Sequence, residues 1–158
     1  MPTPTFTPVN GVILNISQTS GQCCSQTIIL QTSQGMVHFL VSNSTYIVDN
    51  IRLRKGMRIT AFYDNTLPVP LIYPPQYQAA FVCVTAPGES VAVNYFNKNL
   101  LAADNSLKLN IGNSTTVVTA NGQRFTCSPG GNLLIVYYIS TTRSIPPITT
   151  PRKIIVMC

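Results

Sequence analysis

The sequence predicts an all-β chain built as two tandem copies of one five-stranded unit, on three observations. Runs rich in Val, Ile, Thr, Tyr and Phe alternate with Gly, Pro, Asn and Ser clusters, and no long stretch has convincing helical spacing. The chain also repeats itself: Phe62-Tyr63, a proline-bearing loop and Ala79 to Cys83 fall against Tyr137-Tyr138, a second such loop and Ile154 to Cys158. Phe62 and Tyr137 lie 75 residues apart, as do Cys83 and Cys158, Gly56 and Gly131, and Thr66 and Thr141. Such repetition decides the architecture before any single element does. Finally, a unit of about half this chain buries only ~60% of its unfolded surface, so the two copies are expected to pack together or lean on neighbours.

Residues 1–8 carry three prolines and Phe6, and read as an extended N-terminal arm, since proline cannot donate to a ladder. The first unit then spans 9–85. Val9 to Ile16 is its first strand, Ser17 to Ser25 a polar loop holding Cys23 and Cys24, and Thr27 to Thr32 with Met36 to Val41 a hairpin around Ser33-Gln34-Gly35. Ser42 to Lys55 connects, with one helical turn, to Met57 to Tyr63. The loop Asp64 to Tyr77 combines four prolines with Tyr73 and Tyr77, the composition of an ordered loop packed by its own side chains. Gln78 to Val84 closes the unit, and Thr85-Ala-Pro-Gly-Glu links it to a second unit over 86–158. That unit places strands at Ser90 to Phe96, Leu107 to Ile111, Thr115 to Thr119, Leu133 to Ile139 and Lys153 to Cys158.

The strand order, with a hairpin at strands two and three and long links before strands four and five, resembles the OB-fold, a five-stranded partly open barrel. Leu-x-x-Gly-x-x-Ile-x-Ala-Phe-Tyr at Leu53 to Tyr63 looks like the fourth strand of bacterial OB domains. The resemblance implies two tandem OB-like barrels. It speaks to fold and not to activity.

Charge is scarce: 9% of residues against the ~25% usual for soluble domains. Net charge is +6, with the one dense basic cluster at Arg52, Arg54, Lys55 and Arg58. That cluster is the candidate phosphate-binding patch, but the second unit has Cys127-Ser-Pro-Gly-Gly131 in its place, so it reads better as a solvated turn. Catalysis has little to draw on. One His (His38), one Glu (Glu89) and Asp49, Asp64 and Asp104 supply no acid–base constellation, and no C-x-x-C or common zinc set occurs. No enzyme, cofactor or metal is expected. Single-stranded nucleic acid is disfavoured as a partner, because the second and third strands offer few stacking aromatics.

The function expected is therefore structural: a subunit that binds copies of itself in a surface or extracellular fibre or coat. The charge-poor surface, the arm with Phe6 and Val9 for docking on a neighbour, and five cysteines (Cys23, Cys24, Cys83, Cys127, Cys158) for intersubunit disulfides support it. An OB module binding single-stranded nucleic acid or oligosaccharide is the alternative. The first residues show no cationic and apolar leader pattern, so export by another route is expected, with the cytoplasm as the alternative location. No membrane span is expected, the longest apolar run being Leu133 to Ile139.

Overall fold

The computed structural model describes residues 4–19 and 21–158, and they are all-β, with one 3-10 turn at Val48–Asn50. Among the described residues no helix is long and apolar enough to cross a membrane. The chain divides into two compact units, Met1–Ala86 and Pro87–Cys158.

In the first unit, β1 (Phe6–Thr19), β2 (Gln22–Thr32), β3 (Gly35–Val41), β4 (Tyr46–Ile47), β5 (Arg58–Asp64), β6 (Gln76–Gln78) and β7 (Phe81–Val84) form a seven-stranded sheet. Its order is β4-β7-β5-β1-β2-β3-β6. Strand β1 is longer than its sequence suggests because it serves two partners: its first half pairs β5, from Phe6 opposite Asp64 to Val12 opposite Arg58, and its second half pairs β2. A bulge at Leu14 marks the change, where an extra residue bends the strand. The expected closing strand is split for the same reason. Residues 76–78 run parallel to β3, then Ala79 donates its N–H to Leu40 and Ala80 to Phe62, and residues 81–84 continue antiparallel to β5.

Two expectations are corrected here. The arm does not end at residue 8, since Phe6, Thr7 and Pro8 belong to β1. Thr5 accepts from the Asn65 N–H, so by alternation Thr7 and Val9 turn their backbone groups to β5. Pro8, lacking an N–H, turns to the side where β2 has not yet joined, and the ladder loses no bond. The cysteine pair lies not in a loop but in β2. There Gln18 faces Gln26 and Thr19 faces Gln22, so Cys23, Cys24 and Ser25 make a three-residue excess on one side of the ribbon.

The second unit has β8 (Ser90–Phe96), β9 (Lys108–Leu109), β10 (Thr116–Thr119), β11 (Asn132–Tyr138), β12 (Ile148–Thr149) and β13 (Lys153–Met157). They form a four-stranded sheet, β10-β13-β11-β8, and a two-stranded one, β12-β9. Pairing partners match those of the first unit, with β8, β11, β13 and β10 arranged as β1, β5, β7 and β4, and β9 parallel to β12 as β3 is to β6. Isolated bridges from Phe96 to Ala102 and Leu101 to Lys108 stand where the first unit has β2.

Individual hydrogen bonds recur too. Gly56 donates to Ile13 at 2.8 Å and Gly131 to Phe96 at 2.8 Å, both glycines at positive φ (86° and 83°) that a side chain would strain. The Thr45 hydroxyl donates to the Ala79 carbonyl, and the Thr115 hydroxyl to that of Pro151, each at 2.7 Å. These bonds also correct the offset. Gly56 and Gly131, or Phe62 and Tyr137, are 75 apart, but Ala79 and Pro151 are 72 apart, because the intervening loop is three residues shorter in the second unit. Cys83, opposite Thr60, thus matches Ile155, opposite Ile135, and not Cys158, which lies beyond β13.

Each unit has its own core. Ile13, Ile28, Leu30, Phe39, Ile59 and Val82 fill the first; Phe96, Leu109, Leu134, Val136, Ile154 and Val156 fill the second.

Candidate functional site

The most chemically distinctive surface of the first unit lies where β5 and β6 end and begin. Tyr63, next to last on β5, and Tyr77, central in β6, stack with ring centroids 3.9 Å apart and planes 8° from parallel. Phe39, fully buried on β3, supports both from below, at 6.5 Å from Tyr63 and 5.6 Å from Tyr77. The parallel register places Tyr77 directly opposite Phe39. Burial, and then the adjacent Tyr63 hydroxyl, raise the pKa of Tyr77 above the ordinary phenol value.

Concave surface lies on both sides of this stack. A groove of about 240 Å³ is lined by Leu40, Tyr63, Leu67, Val69 and Tyr77, with Asp64 at its rim. The Asp64 carboxylate accepts from the Thr66 N–H at 2.9 Å and hydroxyl at 2.6 Å, which fixes the start of the loop. A second cleft, of about 400 Å³, is lined by uncharged residues, among them Asn10, Ser33, Gln34, Tyr63, Tyr73 and Tyr77. Between the strands the loop exposes Leu67, Val69, Leu71, Ile72 and Tyr73, with Leu71 wholly in solvent. This exposed run of large apolar side chains makes the loop a candidate contact surface.

The basic cluster is not part of this site. Arg58 opens β5 and faces Val12, whereas Tyr63 faces Thr7 near the other end, about 16 Å along the strand at the usual rise. Arg52, Arg54 and Lys55 precede Arg58 and are exposed, so the cations and the stacked rings occupy opposite ends of β5. Phe6 and Val9 are spent within their own unit. Phe6 meets Phe81 edge-on at 5.0 Å, and Val9, opposite Ala61, packs on the core. Both side chains, expected to dock on a neighbour, are thus half-buried on their own unit.

No disulfide occurs among the described residues. Cys23, Cys24, Cys127 and Cys158 are exposed, while Cys83 is buried in β7 and cannot reach another chain from there. His38 is half-buried in β3 between Ile29 and Gln76, and among the described residues no three His, Cys, Asp or Glu side chains gather as metal ligands would.

In the second unit the corresponding loop runs from Ile139 to Pro147. Thr149 stands where the first unit has Tyr77, and is buried with its hydroxyl donating to the Ser140 carbonyl at 2.6 Å. The single glutamate, unremarkable by sequence, is engaged nearby. Arg152 Nε donates to Glu89 at 2.7 Å and a second guanidinium nitrogen donates at 3.2 Å, with the guanidinium 5.0 Å from the Tyr137 ring centroid. The only hint of this in the sequence is that Glu89 has no acidic neighbour in a charge-poor chain.

No protein-family model, curated protein or solved structure matches the chain.

Proposed function

We propose that this chain is a non-enzymatic structural subunit of two tandem OB-like, partly open barrels that assembles with copies of itself into a surface or extracellular fibre or coat. The barrel reading is supported by the pairings: counting β6 and β7 as one bent strand, the order β1-β2-β3-(β6/β7)-β5 returns to β1, as in an OB barrel. The observation that carries self-assembly is the exposed apolar loop from Leu67 to Tyr73, on a chain in which only 9% of residues are charged. The four exposed thiols would lock such contacts where the surroundings are oxidising. Sedimentation velocity and negative-stain microscopy of the native protein test the reading. Oligomers or fibres that gain heat resistance without reductant are expected. A monomer in oxidising buffer at all concentrations overturns it.

A second reading is favoured by one observation, the uncharged cleft with its tyrosines, hydroxyls and amides. It suits an oligosaccharide better than a polyphosphate, whose charge would call for cations beside the rings. Tyrosine fluorescence titrated with neutral oligosaccharides and with single-stranded DNA separates the two. Salt-sensitive DNA binding lost on replacing Arg52 and Arg54 would overturn the preference.

A further inference from the structure

We infer that the groove beside the Tyr63–Tyr77 stack receives the 142–148 loop of a second copy of this chain, with Ile145 entering the groove and Arg143 facing Asp64. The inference rests on the self-assembly reading and gives it an interface.

The groove is lined mainly by apolar and aromatic side chains, with Gln76, Gln78 and Asp64 as its polar lining. Leu40, Leu67, Val69 and the two tyrosines supply the walls, and about 240 Å³ is room for a branched aliphatic side chain. The Asp64 carboxylate at the rim is held by Thr66, and makes no ion pair among the described residues.

The proposed occupant is the mirror of this in chemistry. Ile145 is wholly exposed, and Ile139 at the foot of the same loop largely so. The loop's shape does not depend on a partner: the Thr142 N–H donates to Ile148 at 2.8 Å, the Ile148 N–H donates to the Thr142 hydroxyl at 2.9 Å, and the Ser144 hydroxyl donates to Pro146 at 2.8 Å. An apolar tip presented on a loop already ordered loses little freedom on docking. Arg143, two residues before the tip and exposed, makes no ion pair among the described residues, so the cation and the rim carboxylate are complementary and both available.

The geometry of assembly follows. Groove and tip belong to different units, so each copy offers one of each. The contact joins unlike surfaces, so it either closes reciprocally between two copies or propagates into a ring or filament, and the size of the parent assembly tells which.

The test uses the full chain with reductant present, so that disulfides play no part, and reads self-association by sedimentation velocity. Ile145→Asp and Leu67→Asp alter exposed side chains and should each weaken association about tenfold or more, the value of burying one such residue. Mixing is decisive. The Ile145→Asp chain keeps its groove and the Leu67→Asp chain keeps its tip, so the mixture should form a one-to-one dimer that grows no further. Asp64→Arg should weaken association, and Asp64→Arg with Arg143→Asp should restore part of it. Circular dichroism checks each variant, and Val69→Asp replaces Leu67→Asp if the latter unfolds. An Ile145→Asp chain that assembles as the parent does overturns the docking while leaving self-assembly intact. Two dead variants that stay monomeric when mixed overturn the head-to-tail pairing. A parent that is monomeric throughout overturns both readings together.

Discussion

The two units share a hydrogen-bond skeleton and differ in what they hang on it. At the position where β6 faces β3, the first unit has Tyr77 and the second has Thr149. The large ring stacks on Tyr63 and holds the following surface open as a groove, while the small threonine turns its hydroxyl to Ser140 and draws its own loop tight. One substitution of size thus accompanies a concave surface in one unit and a projecting tip in the other. A second contrast lies in the middle of the first strand. Gly11 lies against β2, where an added Cβ would stand 2.8 Å from the Gln31 carbonyl oxygen. In the second unit β2 is reduced to bridges, and the corresponding residue, opposite Leu134 as Gly11 is opposite Ile59, is Asn94. With no strand pressing on it, Asn94 keeps a side chain and donates to Asp104 at 3.0 Å. A duplicated skeleton constrains hydrogen bonds more tightly than it constrains side chains.

The strongest attack on this comparison is on the cores. Phe39 and Leu109 occupy matching strands, and truncating either to Ala should cost about 3–5 kcal/mol and 2–5 kcal/mol respectively. If the units are separate cooperative structures, hydrogen exchange should show Phe39→Ala loosening residues 4–86 and Leu109→Ala loosening 87–158. Equal loosening throughout by either variant would make the chain one folding unit. Next in size is Gly11→Ala, expected to cost about 1–3 kcal/mol through the clash with β2. Asn94→Ala, losing the bond donated to Asp104 and the one accepted from the Tyr95 N–H, both near the surface, should cost about 1 kcal/mol. Urea melts of the two variants check the order, and a Gly11→Ala as mild as Asn94→Ala would show that β2 can yield.

The ring stack should be worth less. A double-mutant cycle replacing Tyr63 and Tyr77 by Leu is expected to give about 0.5–1.5 kcal/mol of coupling, the usual value of an aromatic pair beyond its burial. No coupling would leave groove shape to the loop alone. The smallest effect belongs to acid. Burial of Asp104 tends to raise its pKa, but hydrogen bonds from the Ser106 hydroxyl and N–H and from Asn94 outweigh it, and the net value is lowered. A lowered folded-state value means stability that is present above the unfolded carboxylate pKa of ~3.9 and lost as pH falls through the folded value. The second unit should therefore weaken below about pH 4, and Asp104→Asn should flatten that part of its stability–pH curve. An unchanged acid limb would remove Asp104 from the account.

Much of the β content was legible in the residues themselves. The β-branched runs, the Ser33-Gln34-Gly35 hairpin and the Gly56/Gly131 correspondence depend on local backbone preference, which a short window of sequence carries. The composition of the proline-rich loop predicts packing by its own side chains, whereas Leu67, Leu71, Ile72 and Tyr73 stand in solvent. The ring stack was not legible, because Tyr63 and Tyr77 meet only once β6 runs parallel to β3 and brings the Tyr77 ring over Phe39. Residues 6–8 misled for a related reason: Pro8 cannot donate to a ladder, and β1 pairs on only one side there.

By itself, then, the sequence determined the all-β class of structure, the repeated run of residues and the poverty of charge, since each is a property of composition, pattern or spacing. Tertiary structure decided the rest. It revealed the shift of the correspondence from 75 to 72 residues after a loop, buried Cys83 while leaving Cys158 exposed, joined Glu89 to Arg152, and stacked Tyr77 on Tyr63. These depend on which strands become neighbours. Pairing between residues far apart in the chain follows from register and core packing, which no local window contains.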